Sequence, residues 1–283
     1  MIIRTLTDVS SDDLYAAFSS AFTDYDIQFS RNQLQALLKR RGFNPGLSLA
    51  AFEDERIVSF CFNGTGTFEG IPTAYDTGTG TLKEYRGKGI AAGIFRQSLP
   101  LLRDAGIRQY LLEVMLHNTS AINLYRKAGF KVSRELKYYI QESHMVSVTR
   151  PLSASGCQVH RIALNAALAS AGFNDFQQSW QNSPEALMRN PSDFVAFGAF
   201  IDGLQVGYCI IEPESGDIPG IAVDRNYKRK GIGSSLLAEV LKSNRGEKIR
   251  IINTDTKCQS ISLFLESVNI PLSGLQYEMK MII

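Results

Sequence analysis

Residues 85–91 read YRGKGIA and residues 227–233 read YKRKGIG. Each stretch follows a run of strand character and opens an amphipathic helical pattern, so each sets a basic, glycine-spaced turn at a helix N-terminus. Free backbone N–H groups and the positive end of the helix dipole favour a phosphate at such a place. A P-loop is excluded: it needs GxxxxGK[ST], and here Lys88 is followed by Gly89 and Lys230 by Gly231, with no hydroxyl for magnesium. No GxGxxG stands at either turn. Both fit instead a basic or amide residue followed by x-x-G-x-G/A, with Arg86, Gly89 and Ala91 in the first copy and Lys228, Gly231 and Gly233 in the second. The small residues let phosphates approach the backbone, and the flanking cations Lys88, Arg229 and Lys230 balance their charge.

Outward from the turns the same order of elements is read twice. In the first half, Ser10 and Asp13 form a capping box for a helix with Leu14, Ala17, Phe18 and Phe22 at helical spacing. A second helix follows Ser30, and LSLAAFED and RIVSFCFNG read as two strands joined by an acidic turn. A strand over 74–82 enters the first turn, and the helix after it meets Pro100 and stops at Gly106. IRQYLLEVM is a buried strand, and Asn118 caps a helix that Gly129 ends, before a last strand over 131–140. In the second half, FVAFGAFIDGLQVGYCII repeats the hairpin, IPGIAV (ending at Val223) enters the second turn, and KIRIINTD and SISLFLES repeat the strand and helix. The stretch ESHMVSVTRPLSASG between the halves is polar and carries Pro151 and Gly156. The expected domains are therefore 1–148 and 149–283, of fold class α+β and one topology.

Composition bounds the function. A chain of 283 residues suits two domains, and 44% hydrophobic residues give each a core. The net charge of +2 and scattered basic residues argue against nucleic acid, which wants a concentrated basic face. Four cysteines without CxxC spacing and three histidines suggest no zinc site and fit reduced thiols, hence a cytoplasmic protein. The N-terminal residues lack the apolar stretch of a signal peptide, and no run approaches a membrane span of about 20 apolar residues, so no membrane partner is expected.

Taken together, GTGTLKEYRGKGIA, GIAVDRNYKRKGIG and EVMLHNTSAINLYRKAGF resemble the GCN5-related N-acetyltransferase (GNAT) superfamily, in a tandem arrangement similar to that of mycothiol synthase. The resemblance covers nearly the whole chain in two passes. It implies two GNAT-like domains, each a mixed, mostly antiparallel sheet flanked by helices, with the turns holding the pyrophosphate of acetyl-coenzyme A (acetyl-CoA). The cofactor-binding expectation is then Gly80, Thr81, Arg86, Gly87, Lys88, Gly89, Ile90, Ala91 and Asn118 in the first half, and Val223, Lys228, Arg229, Lys230, Gly231 and Gly233 in the second. In this family an amine attacks the thioester directly, with the pantetheine arm laid between two splayed strands near Gly80 and Thr81. Tyr125 matches the family tyrosine that acts as general acid at the sulfur. Asn118 serves the pantetheine arm, the helix cap, or both.

The base is open among Glu113, placed where several family members carry an acid, His117, and Asp76 on the strand entering the turn. Asp24, Tyr25 and Phe29, between the first two helices, can offer a carboxylate and aromatic walls to a small-molecule or peptide amine. In the second half Phe264 is read at the place of Tyr125 and Lys257 at that of Asn118, with Asn269 and Ile270 at the Gly-Phe closure. A phenylalanine has no proton to donate, so catalysis is expected in the first domain. The alternatives are catalysis in the second domain, or a module that binds CoA without turnover. The tandem pair leaves monomer and homodimer equally open.

Overall fold

The computed structural model describes residues 1–24, 28–148 and 156–283. In chain order the N-terminal half forms β1 (Ile2–Thr5), α1 (Ser11–Ala21), α2 (Arg31–Arg40), β2 (Leu49–Glu53), β3 (Arg56–Phe68), β4 (Ile71–Thr81), α3 (Ile90–Asp104), β5 (Gln109–Met115) and α4 (Thr119–Ala128). There follow β6 (Lys131–Glu142), β7 (Gln158–Ile162), α5 (Leu164–Ala169), α6 (Pro184–Met188), β8 (Val195–Ile201), β9 (Leu204–Glu212) and β10 (Asp217–Val223). The chain ends with α7 (Ile232–Ser243), β11 (Lys248–Asp255), α8 (Gln259–Ser267) and β12 (Leu272–Ile282). Among the described residues no helix is long and apolar enough to cross a membrane.

The chain forms two compact units. One comprises Met1–Ser133 with Tyr277–Ile283, the other Arg134–Gln276. This differs from the division at 148/149 read from the sequence, because β6 and β12 do not stay with the elements that precede them. Most of β6 pairs antiparallel with β11 inside the second unit, Glu142 opposite Lys248 and Tyr139 opposite Ile251. The last residues complete the first unit, where Met279 and Met281 are buried in its core. Strand pairing is a long-range choice that local pattern does not specify.

In the first unit the strands run β1-β2-β3-β4-β5-β12. β2, β3 and β4 are antiparallel neighbours, and β5 is parallel to β4. Of the capping box expected at α1 the N-cap half is present: Ser10 Oγ accepts from the Asp13 N–H at 3.1 Å, while the Asp13 carboxylate accepts from the Ser10 hydroxyl at 2.7 Å in place of the Ser10 backbone N–H. Ser30 and Gln33 form a reciprocal capping box at the start of α2. α1 and α2 bury Leu14, Phe18, Leu34 and Leu38, and α3 buries Ile90, Ile94, Phe95 and Leu102, running through Pro100 as one helix. In the second unit the strands run β6-β11-β10-β9-β8-β7. α7 buries Ile232, Leu236, Leu237 and Val240, and α8 packs Leu265 into the same cluster.

Candidate active site

The two glycine turns have nearly the same backbone. Gly87 and Gly89 lie in the left-handed region at φ 77° and 75°, and Arg229 and Gly231 follow at 63° and 80°. Gly89 and Gly231 are the N-cap residues of α3 and α7, and no side chain caps either helix. The first-turn N–H groups of Ile90 and Ala91 are thus presented to an anionic ligand. Lys88 Nζ lies 5.0 Å from the ring centroid of Tyr85, and Lys230 Nζ 4.8 Å from that of Tyr227, so the flanking cations are held alike. Arg86 is fixed by its neighbours: Nε donates to Thr81 O at 3.0 Å, Nη2 to Ala21 O at 2.8 Å and Nη1 to Asp24 Oδ2 at 3.2 Å. Asp24, expected to meet an amine, is therefore engaged with the first glycine turn, with Lys83 Nζ also within 3.8 Å. Phe29 packs edge-on against Phe18 at 6.0 Å and is half-buried. Tyr25 lies outside the described residues.

The strand that enters the first turn is splayed from its neighbour. β4 and β5 pair only at Thr73–Gln109, Ala74–Tyr110 and Tyr75–Leu111. Over Asp76–Thr81 the backbone of β4 has its strand partner on the β3 side only. A bulge lies at the start of this stretch: Phe62 opposes Gly78 and Asn63 opposes Asp76, so Thr77 is the extra residue. Arg41 Nη1 donates to Thr77 O at 2.8 Å and steadies the bulge. Gly80 is glycine for packing on the other face, since a Cβ there would sit 2.5 Å from the Phe60 ring. Its backbone edge and that of Thr81 line the splay, with Thr81 O already accepting from Arg86.

The titratable groups divide between the two faces of β4. Tyr75 points to one face, where its hydroxyl donates to Glu113 Oε2 and its ring lies 5.8 Å from Arg41 Cζ. Asp76 points to the other face. There Oδ2 accepts from Tyr125 Oη at 3.1 Å and from Thr79 Oγ1 at 2.8 Å, and Oδ1 accepts from the Gly78 N–H at 2.9 Å. Burial pushes the Asp76 carboxyl up to about 6 in spite of these bonds and the charge of Arg41. Burial, then the Asp76 charge, hold Tyr125 well above the usual phenol range. Behind this pair, Cys61 Sγ is 3.1 Å from Tyr110 Oη, which bonds Asn63 Oδ1. Asn118 Oδ1 accepts from the Ala121 N–H at 3.1 Å, so it caps α4, and His117 is exposed. The structure thus brings Tyr125 together with Asp76, and Glu113 with Tyr75. Tyr75 and Thr79 are not singled out by the sequence, and nothing local marks them; Arg41 is marked only as part of the short basic run Lys39, Arg40 and Arg41.

The second unit repeats the scaffold with different side chains. β10 and β11 pair only at Asp217–Arg250, and β10 bulges so that Ile218 and Pro219 stand between the pairs Asp217–Glu212 and Gly220–Ile210. Matched through these registers, Ile218 occupies the place of Asp76 and Pro219 that of Thr77. On the helix, the Ile270 N–H bonds Leu265 O as the Phe130 N–H bonds Tyr125 O, and Cys258 is the N-cap as Asn118 is. Leu265 and Cys258, one residue beyond the expected Phe264 and Lys257, are therefore the counterparts of Tyr125 and Asn118. Ile218 and Leu265 are buried in one apolar cluster. At the turn, Lys228 is paired with Asp175, whose Oδ2 also accepts from Ser260 Oγ at 2.6 Å. Burial pushes Asp175 up, but those bonds and the lysine charge outweigh it and leave its carboxyl below the usual range.

The profile of the acetyltransferase (GNAT) family matches residues 11–130, and that of an acetyltransferase (GNAT) domain matches residues 192–267. N-alpha-acetyltransferase 30 of Schizosaccharomyces pombe is 28% identical over 98 residues, which are 34% of this chain and 65% of that protein. An N-alpha-acetyltransferase of Saccharolobus solfataricus is 38% identical over 73 residues, 25% of this chain and 44% of that protein. The chain thus spans between about half and two thirds of these curated relatives. Among solved structures, a tandem GNAT protein from the clavulanic acid biosynthesis pathway superposes with a TM-score of 0.74 at 11% identity, covering 99% of this chain and 97% of that one. A GCN5-related N-acetyltransferase from Sphaerobacter thermophilus gives 0.72 at 13% identity, covering 99% and 95%. At such identities the likeness is one of fold.

Proposed function

The chain belongs to the acetyltransferase (GNAT) family, and from that premise we propose that it is an acetyl-CoA-dependent N-acetyltransferase whose chemistry resides in the first unit. Acetyl-CoA supplies the activated thioester when bound. The uncapped turn from Arg86 to Ala91 fits its pyrophosphate, and the one-sided edge of β4 over Asp76–Thr81 fits the pantetheine arm. Gly231 and its flanking cations offer a second cradle, with Leu265 where the first unit has the proton donor Tyr125. Asp24 holds Arg86 in position.

Tyr125 gives its Oη proton to the departing sulfur as the carbon–sulfur bond breaks. Glu113, on the opposite face of the splay, takes the proton that the amine loses as the carbon–nitrogen bond forms. The proton then returns through solvent to Tyr125, so the cycle balances. The acceptor is a primary amine; the α-amino group of a peptide comes first, because the curated relatives carry that name.

One observation carries the assignment to the first unit: Tyr125 and Asp76 are bonded beside the splay, whereas Leu265 and Ile218 fill the same places in the second unit. The test is thiol release from acetyl-CoA across peptides with free and blocked N-termini, amino sugars and polyamines, beside calorimetric binding. Tyr125→Phe is expected to lower kcat about 100-fold with little change in the KM for acetyl-CoA, and Arg86→Ala to raise that KM. Full turnover in Tyr125→Phe together with its loss in Lys228→Ala moves catalysis to the second unit. Tight binding without turnover on any amine leaves a binding module.

A further inference from the structure

We propose that Asp76 is the positioning residue of Tyr125, fixing its hydroxyl beside the splay and keeping it protonated, and that it does not take the proton of the amine. The proposal rests on the acetyl-transfer reading above. Its first support is direction. Adjacent strand residues point to opposite faces, so Tyr75 meets Glu113 and Arg41 on one side while Asp76 meets Tyr125 on the other.

The second support is the bulge. Residues 76 and 79 of a regular strand face opposite ways, and the extra residue Thr77 brings them to one face. Thr79 can then donate to the carboxylate oxygen that Tyr125 uses. With the Gly78 N–H on the other oxygen, the carboxylate is held by three donors and is only 7% exposed. A group so enclosed is built to hold a neighbour still.

The third support is the second unit, which keeps the bulge but replaces both partners, Asp76 by Ile218 and Tyr125 by Leu265. A carboxylate needed only to shape the bulge would have no cause to change together with a tyrosine on another element.

The titratable and charged groups that face this pair are Cys61 from β3, Tyr110 from β5 and the charge of Arg41 just past the end of α2, with Tyr75 and Glu113 across the strand; from α3 the Phe95 ring lies 5.6 Å from that of Tyr125. As pH falls through about 6, Asp76 takes a proton and Tyr125 loses the negative charge of its acceptor, which weakens the bond that holds it, so wild-type kcat declines on that limb.

The experiment measures kcat and KM from pH 5 to 9 at saturating acetyl-CoA for wild type, Asp76→Asn, Thr79→Val, Tyr125→Phe and the double variant Asp76→Asn/Tyr125→Phe. A 13Cζ-tyrosine NMR titration of the same proteins accompanies it, with the Tyr125 signal assigned by its loss in Tyr125→Phe. Asp76→Asn should lower kcat about tenfold, the worth of one hydrogen bond to a charged group, and lose the limb near 6, with the KM for the amine unchanged. Thr79→Val should fall between it and wild type. The double variant should be no slower than Tyr125→Phe alone, and the Tyr125 signal should begin to ionise at lower pH in Asp76→Asn. Multiplying losses in the double variant, or a rise in the amine KM, would make Asp76 an independent base and overturn the proposal. So would identical Tyr125 titrations in wild type and Asp76→Asn. Absence of turnover in wild type on every amine sinks the transfer reading instead, and the titration still decides whether the two residues are coupled.

Discussion

Burial lifts Asp76 from 3.8 to about 6, against the pull of hydrogen bonds from Thr79, Tyr125 and Gly78 and of the Arg41 charge. A folded-state value above the unfolded one means that the native protein binds more protons between the two. The stabilisation is therefore full below about 4 and is lost as pH rises through about 6, a change of about 3 kcal/mol at 1.4 kcal/mol per unit. Asp76→Asn cannot titrate, so its stability relative to wild type should improve by roughly that amount between pH 4 and 7, as read from urea unfolding at each pH. A constant difference across that range would mean that the carboxyl is not shifted. What the sequence marks at the candidate site is local: Gly89 at its left-handed φ, Asn118 at its cap. Asp76 could be named from its strand, but its partner is 49 positions away, and nothing in the alternation of β4 announces the bulge. Leu265 rather than Phe264 matches Tyr125 because Asn269 and Ile270 stand at the places of Gly129 and Phe130, which fixes the offset at 140 residues.

α4 carries Tyr125, and its C-terminal end is held by two features at once. Gly129 lies at φ 106°, and a Cβ there would approach Met281 Sδ to 3.1 Å. Its N–H closes the last turn onto Arg126 O at 3.1 Å, after which the Phe130 N–H returns to Tyr125 O at 3.0 Å. Phe130 then stacks edge-on with Tyr125 at 5.7 Å and lies 5.1 Å from Tyr110. Gly129→Ala should destabilise by about 1–2 kcal/mol, from the strained backbone and the crowded sulfur. It should also lower kcat, because the tyrosine is displaced with the end of its helix. Thermal unfolding and steady-state kinetics on one preparation decide this; a destabilised variant of full kcat would show that the helix end does not set Tyr125. The helix itself was legible from Asn118, the spacing of Ile122 and Tyr125, and Gly129. What it packs against was not, because Met281 reaches it from the far end of the chain.

The whole chain repeats one order of elements, and that repetition suggested a cut at 148/149. The compact units divide otherwise: Tyr277–Ile283 count with Met1–Ser133, and residues 134–148 with the second unit. Periodicity along a strand reports that it is buried on one face; it carries no mark of which sheet the strand completes. The distinction has an outcome that can be measured. Met279 is fully buried and Met281 nearly so, both within the first unit's core beside Tyr125 and Phe130. Losing a buried methionine costs about 2–5 kcal/mol, so a chain ending at residue 276 loses stability comparable to that of a whole domain. Hydrogen exchange should then show β5 and α4 deprotected, while β8 and β9, whose pairing lies wholly within the second unit, keep their protection. Full protection of β5 and α4 in that shortened chain would instead mean that Met1–Ser133 closes its core unaided and that 148/149 is the working boundary. The same comparison bears on the site, since Tyr125 depends on a helix whose packing partner is the last strand: the shortened chain should lose turnover before it loses the fold of the second unit.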